Sequence, residues 1–268
     1  MVNFEYRRFG LLFRQIMFSR PLSDLPNNED VCIYHGGENN NYKDNPSLKN
    51  NKSIRINHQY TLLTNLEDDE EEIFQKFKKN CKYEIRRAQR ENIHADYFQG
   101  SEASKNAKLL NSFEKTYNNM FIKKKMRNRL NRIYVEKALE NNSMIISIAY
   151  YGNSNLPIVY HSYVKDNNNA LLLYSASILW NDENIDSKII GWANKYLHWQ
   201  DMCYFKKNGL SRYEWGGLKD VNNPNGIDKF KMEFGGDLKI YDNCIIGKTI
   251  FGALYVSALK IKDKFKND

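Results

Sequence analysis

The sequence predicts an α/β (α+β) protein, a mixed and mostly antiparallel sheet flanked by helices, and three observations carry that expectation. The apolar runs MIISIAYYG (144–152), LPIVYHSYVKD (156–166) and ALLLYSAS (170–177) are parted by the polar turns GNSN and NNN, as in an antiparallel meander. A helical segment from about Ser187 to Lys207 follows the meander directly. SRYEWGGL, GIDKFKMEFGG and DLKIYDNCIIG then read as a strand, a short helix closed by glycine and a last strand. With 41% hydrophobic and 13% aromatic residues, the 268-residue chain has enough apolar material for a large core.

From the beginning of the chain, MVNFEYRRFGLLFRQIMFSRP is apolar but interrupted by Arg14, and no small-residue cleavage site follows, which argues against a signal peptide. Residues 36–53 are polar and rich in Asn and Gly, so a loop is predicted there. SIRINHQYTLLTNL alternates as a strand does, with Ile54, Ile56, Tyr60 and Leu62 on one side. EDDEEEIFQKFKKNCKYEIRRAQRENI is expected to be one helix, acidic at its start and basic at its end, with Phe74, Phe77, Cys81, Ile85 and Ala88 as its apolar stripe. Opposite that stripe stand Lys78, Lys82, Arg86 and Arg90, with Lys79 and Arg87 beside them. A second basic cluster, Lys123, Lys124, Lys125, Arg127, Arg129 and Arg132, is expected to open a helix that runs to about Leu139. The run TIFGALYVSAL is too short to span a bilayer, and the KIKDKFKND tail could lie either in water or against anionic headgroups.

Forty Lys and Arg against 32 Asp and Glu give a net charge of +8, which favours an anionic partner: nucleic acid, a phosphorylated cofactor, a nucleotide-linked substrate or an acidic membrane face. Cys32, Cys81, Cys203 and Cys244 form no CxxC pair, and none of the five histidines has ligand spacing. No metal is expected, and a cytoplasmic location is.

At Lys188-Ile-Ile-Gly191-Trp-Ala193 the chain resembles the pyrophosphate-binding turn of the GNAT acyltransferase superfamily, in which Gln or Arg, two residues, Gly, one residue, and Gly or Ala stand at a helix start after the meander. The physical basis of such a turn is close backbone approach at glycine and free N–H groups at the positive helix end. Two further blocks resemble the Fem-type branch of that superfamily, which includes the peptidoglycan-bridge aminoacyltransferases. YTLLTNL with KKNCKYEIRRAQRENI is similar to its strand and basic helix, and GLSRYEWGGL with GIDKFKMEFGGDLKIY to its "Tyr-Asp-x-Gly-Gly … Phe-Lys-x-x-Phe-Gly" ending. The resemblance covers about Tyr60 to Tyr241. It departs at Glu214, where the family has Asp, and in residues 1–98, which are too short for a whole unit. A partial N-terminal GNAT-like unit (1–98) followed by a complete core (99–268) is therefore expected.

Acyl transfer to an amine needs a held donor, a polarised carbonyl and a group that takes one proton. Near the strand ends the sequence offers Glu214, His161, Tyr174 and Ser175, and alternation puts Glu214 on the opposite face from Tyr213 and Trp215. His161 ranks behind Glu214, and His198 is expected to pack beneath the sheet. The resemblance implies Lys231, beside Phe230, as a cation near the reacting acyl group. It implies Lys188, Gly191 and Ala193, with Tyr174 and Ser175, as the acyl-CoA site. Tyr213, Trp215, Gly216 and Gly217 would shape the acceptor pocket, and Arg86 and Arg87 would contact substrate.

The function so implied is an N-acyltransferase taking an acyl group, acetyl from acetyl-CoA, to the amino group of a sugar or surface-glycan precursor in cell-envelope polysaccharide biosynthesis. The alternatives are an aminoacyl-tRNA-dependent transferase, whose basic helices would hold the tRNA backbone, and a nucleic-acid-binding protein without catalysis.

Overall fold

A computed structural model describes residues 1–18, 28–36, 53–153, 156–178 and 185–264. The elements run β1 (Val2–Arg8), β2 (Leu11–Met17), β3 (Val31–His35), β4 (Ile54–Asn65), α1 (Glu70–Gln75), α2 (Lys79–Arg90), β5 (Ile93–Gln99), α3 (Gly100–Lys105), α4 (Ala107–Lys123) and α5 (Arg132–Glu140). They continue with β6 (Met144–Tyr151), β7 (Leu156–Lys165), β8 (Asn169–Ser177), α6 (Ser187–Lys207), β9 (Arg212–Leu218), α7 (Gly226–Met232), β10 (Asp237–Gly247) and α8 (Ile250–Lys264). Apart from Gly36 and Ser53, the polar segment 36–53 lies outside the described residues, as do the last four residues of the basic tail.

Two compact units form: Met1–Thr61 with Gly217–Lys219 and Leu238–Asp268, and Leu62–Gly216 with Asp220–Asp237. This differs from a division at 98/99. Helix α2 and strand β5 pack with the second unit, because Ala88 and Ile93 share one buried cluster with Ala149, Val159, Ala193 and Leu197. The end of the chain instead returns to the first unit.

In the first unit the strand order is β1-β2-β3-β10-β4. The N-terminal apolar stretch is an antiparallel hairpin, Val2 opposite Met17 and Arg8 opposite Leu11, and β3 runs parallel to β2. Its core holds Ile16, Cys32, Tyr34, Ile54 and Cys244. Arg14 is buried and meets Glu5, Glu29 and Asn3, while Lys248 reaches Glu29 at 2.7 Å, so the cations and carboxylates inside the unit are matched. Asp30 fastens the start of α8, accepting from Thr249 Oγ1 at 2.6 Å and, through its carbonyl, from Lys248 N at 2.9 Å.

The second unit has the order β4-β9-β8-β7-β6-β5. Strands β5 to β8 form an antiparallel meander, and β8 pairs parallel with β9. Helices cover both faces, so β6 is buried along most of its length and reads as a continuous apolar run. On one face Tyr160 stacks on Phe113 of α4, 5.5 Å between centroids, and bonds Ser112 at 2.6 Å. On the other, His161 and Tyr163 meet α6.

Two expected helices are corrected. The segment 67–93 is broken into α1 and α2, because Lys78 is extended (ψ 150°) and its amide donates to Glu233 O at 2.7 Å. The second basic cluster does not open a helix: Lys123 closes α4, Lys124 caps it, and the next helix starts only at Arg132, whose guanidinium bonds Glu136, Glu114 and Asn111.

At Gly252 an added Cβ would overlap the carbonyl oxygen of Asp30. Gly252→Ala is therefore expected to push α8 off the first unit and cost about 1–3 kcal/mol, read as a lower denaturant midpoint.

Candidate active site

Helix α6 begins at the Asp186 cap, whose carboxylate accepts from Lys188 N at 2.9 Å, and ends with Lys206 and Lys207 in the last turn. Its buried face is not wholly apolar. Asn194, His198 and Asp201 recur at four and three residues and point at the sheet. Asp201 Oδ2 receives His161 Nδ1 at 2.8 Å and the Tyr163 hydroxyl at 2.6 Å. Tyr163 meets the Tyr213 hydroxyl at 2.8 Å, and Tyr213 meets His198 Nδ1 at 2.7 Å.

Proton order in this chain follows from counting. Tyr163 gives its one proton to the carboxylate, so Tyr213 must donate to Tyr163, and His198 Nδ1–H must donate to Tyr213. A neutral His198 fits: burial pushes its pKa well below the usual value, helped by His161 and Lys231. Burial likewise pushes both phenols well up, with Asp201 adding to it. The nitrogens and carboxylate of His161, His198 and Asp201 lie within 4.8 Å of one another, a set that could ligate a divalent ion. The Tyr163 hydroxyl stands among them, 3.2 Å from His161 Nδ1 and 3.5 Å from His198 Nδ1, and joins them as a hydrogen-bond network.

Alternation along β9 turns Tyr213 and Trp215 to the α6 face, where Trp215 packs on His198 and Phe234 and donates to Thr64 Oγ1 at 3.1 Å. Glu214 faces the other way and is buried. It occupies the last paired position of the β8–β9 ladder, opposite Leu171, while β8 runs on to Ser177. Gly216 turns β9 just beyond, at φ +67°, with the Leu172 carbonyl oxygen 2.8 Å from where a Cβ would sit. Gly217, in the first unit, is pressed against the Gln59 side chain.

Lys231 on α7 lies within electrostatic reach of Glu214 and Asp228, and burial brings its amine down to about 8 against their opposing pull. Phe230 packs against His198 and Phe234. Tyr174 and Ser175 lie on β8, Tyr174 edge-on to Tyr117 at 5.2 Å and Ser175 opposite His161.

Other expected site residues are placed differently. Gly191 is the fifth residue of α6, past the four amides that a helix start leaves open, and Asp186 already bonds the first turn. Ala193 is buried in the apolar cluster, and Lys188 is exposed. The motif is therefore interior helix, and a pyrophosphate at the α6 start would meet the Asp186 carboxylate. Further along the same helix, Lys195, which was not among the expected site residues, is committed to Glu84 (2.8 Å) and Glu233, whose hydrogen bonds outweigh burial and raise its pKa. His161 is fully buried with both ring nitrogens engaged, Nδ1 by Asp201 and Nε2 by Asn194, each at 2.8 Å. Arg86 is exposed and lies over the Phe74 ring at 5.3 Å, and Arg87 lies over Trp192 at 5.1 Å and bonds Glu91. Asp201 and Tyr163 were not expected; the polar i, i+4, i+7 pattern inside an apolar helix was the signal for Asp201.

No family model matches the sequence, and no curated protein matches it by sequence. By structure the chain is similar to FemX, with a TM-score of 0.60 at 11% identity over 87% of this chain and 80% of that one. It is also similar to the C-terminal domain of a putative lysylphosphatidylglycerol synthetase from Agrobacterium fabrum (0.54, 8%, 86% and 72%) and to L-PGS from Bacillus licheniformis (0.53, 10%, 85% and 71%). At such identities the likeness establishes the fold alone: the helix-flanked mixed sheet expected from the meander is an arrangement shared with FemX.

Gly191→Ala is expected to stabilise the protein by about 0.5–1 kcal/mol, because the site is helical with open space where the methyl would go, and to leave donor affinity unchanged by calorimetry. Lys231→Met should raise stability at pH 7 by on the order of 1–3 kcal/mol. The sign follows from the lowered pKa: the folded state disfavours the charged amine, a penalty complete below about 8 and gone above the ordinary lysine value. Denaturation at pH 7 and in the high-alkaline range should show the variant's advantage shrinking.

Proposed function

We propose that the chain is an acyltransferase that moves an acyl group onto an amine, with Glu214 as the proton acceptor and Lys231 as the cation at the reacting carbonyl. The observation that carries this reading is the buried carboxylate at the last rung of a parallel ladder, with a desolvated amine in electrostatic reach. The acceptor amine loses a proton to Glu214 as its nitrogen attacks the acyl carbon. Lys231 stabilises the oxyanion, where a partly dehydrated charge acts more strongly than one in water. The bond from the acyl carbon to the donor oxygen or sulfur then breaks, and the proton passes to the leaving group.

For the donor, an aminoacyl ester on tRNA is the better-supported choice. Asp186 at the α6 start opposes a pyrophosphate there, whereas Lys123, Lys124, Lys125, Arg127 and Arg129 form an exposed basic run suited to a nucleic-acid backbone. The likeness to FemX and to the lysylphosphatidylglycerol synthetase domain, whose name describes a lysyl group on a phospholipid, supports the same direction. Transfer from acetyl-CoA is the second reading, favoured by the GNAT-like meander and ladder. The acceptor proposed for either is the amino group of a sugar or surface-glycan precursor, on the strength of the motif resemblance.

Mass spectrometry of products formed with aminoacyl-tRNA or with acetyl-CoA, each against a panel of amino sugars and amino-terminal peptides, separates the readings. Glu214→Gln should lower kcat at least about 100-fold with little change in donor Kd. Near-normal turnover would remove Glu214 from the mechanism. Nucleic-acid binding without product from any donor would favour the non-catalytic alternative.

A further inference from the structure

Helix α8, in the first unit, is apolar on both sides. Gly252 and Val256 are buried, and Tyr255 packs edge-on against Phe13 with 5.2 Å between ring centroids. On the opposite side Ile250, Phe251, Leu254, Ala258 and Ile261 recur at three and four residues. This stripe stays exposed: 80% at Ile250, 68% at Phe251, 61% at Leu254 and 56% at Ile261. A helix with apolar residues all round is ordinarily covered all round, so an open stripe of this length marks an interaction surface. Among the described residues no helix is long and apolar enough to cross a membrane, so α8 is not a spanning segment.

The rim of the stripe is cationic. Lys260, Lys262 and Lys264 stand in the last turns of the helix. The acid of this stretch, Asp263, is taken up by Arg55 at 2.6 and 3.0 Å. Beside the helix, the β1–β2 turn presents Phe9 at 75% exposure with the Arg8 guanidinium 4.7 Å above its ring, and Arg8 is near enough to Tyr255 to act on its phenol.

We propose that this face of the first unit docks on an anionic lipid bilayer, with α8 lying in the interface, its apolar stripe toward the acyl chains and its lysines among the phosphates. Aromatic and aliphatic side chains on one side with lysines reaching out from the flank is the arrangement that holds a helix at the headgroup boundary. Charge selects the lipid over a second copy of the chain. A bilayer offers phosphates to the lysines of the last turns, whereas a second α8 brings them no unengaged carboxylate, its one acid, Asp263, being held by Arg55. The inference stands independently of the acyl-transfer reading.

Flotation of the full-length protein with phosphatidylcholine vesicles, with and without phosphatidylglycerol, tests it. The wild type should float with the anionic vesicles, and high salt should weaken the association. Phe251→Ser with Leu254→Ser should lower partitioning at least about tenfold at unchanged Tm, since both side chains are exposed. Lys262→Gln and Lys264→Gln should each lower it about fivefold. The proposal is overturned by absence of flotation, by equal flotation on neutral vesicles, or by unchanged flotation of the Ser double variant. A lipid-free dimer that this variant dissolves would assign the stripe to a second copy instead, and would overturn it too.

Discussion

The donor–acceptor chain from His198 through Tyr213 and Tyr163 to Asp201 holds the second unit in register. His198, Tyr213 and Tyr163 each have one proton to give along the chain and Asp201 accepts the last, so the rotations of α6, β7 and β9 are set together. Apolar packing alone would tolerate a shift of a residue along α6, but a carboxylate left without its tyrosine inside the core would cost more than the shift gains. The same network gives the two interior histidines their hydrogen-bond partners. His161 orients Asp201, and His198 begins the chain as a neutral donor.

With that face of β9 committed, alternation leaves Glu214 on the other face, where the β8–β9 ladder stops. Lys195 plays a parallel role among the helices: paired with Glu84 and Glu233, it ties α2, α6 and the residue following α7 together, and so places Lys231 near the end of the ladder. The candidate site thus contains one carboxylate and one amine carried by separate elements, each held by buried polar contacts behind it. Precision of this kind matters more for acyl transfer than the number of catalytic groups, because orientation supplies much of the rate.

The first unit is organised by different means. Its interior charges, Arg14 and Glu29, are matched within the hairpin and by Lys248, and Asp30 pins the beginning of α8. Its outer surface combines apolar side chains with lysines, whereas the basic clusters of the second unit lack a comparable exposed apolar stripe along one helix.

Local pattern alone determined most of the second unit's elements. The meander, α6, β9 and α7, and β10 in the first unit, are legible because period-two and period-3.6 apolar repeats are enforced by burial of one or both faces, and glycine or asparagine runs punctuate them. Glu214 and Lys231 both stand in the second motif block, but nothing local sets one within electrostatic reach of the other. What the sequence could not express is partnership across distance. The break at Lys78 is made by the Glu233 carbonyl, the contacts of Arg86, Arg87 and Lys195 by aromatic rings and carboxylates on other elements, and the place of Gly191 inside the helix by a first residue, Ser187, four positions earlier. A side chain's type and spacing are local properties, whereas its hydrogen-bond partner, its exposure and its charge state belong to whatever the fold brings beside it, and only the tertiary structure decides that.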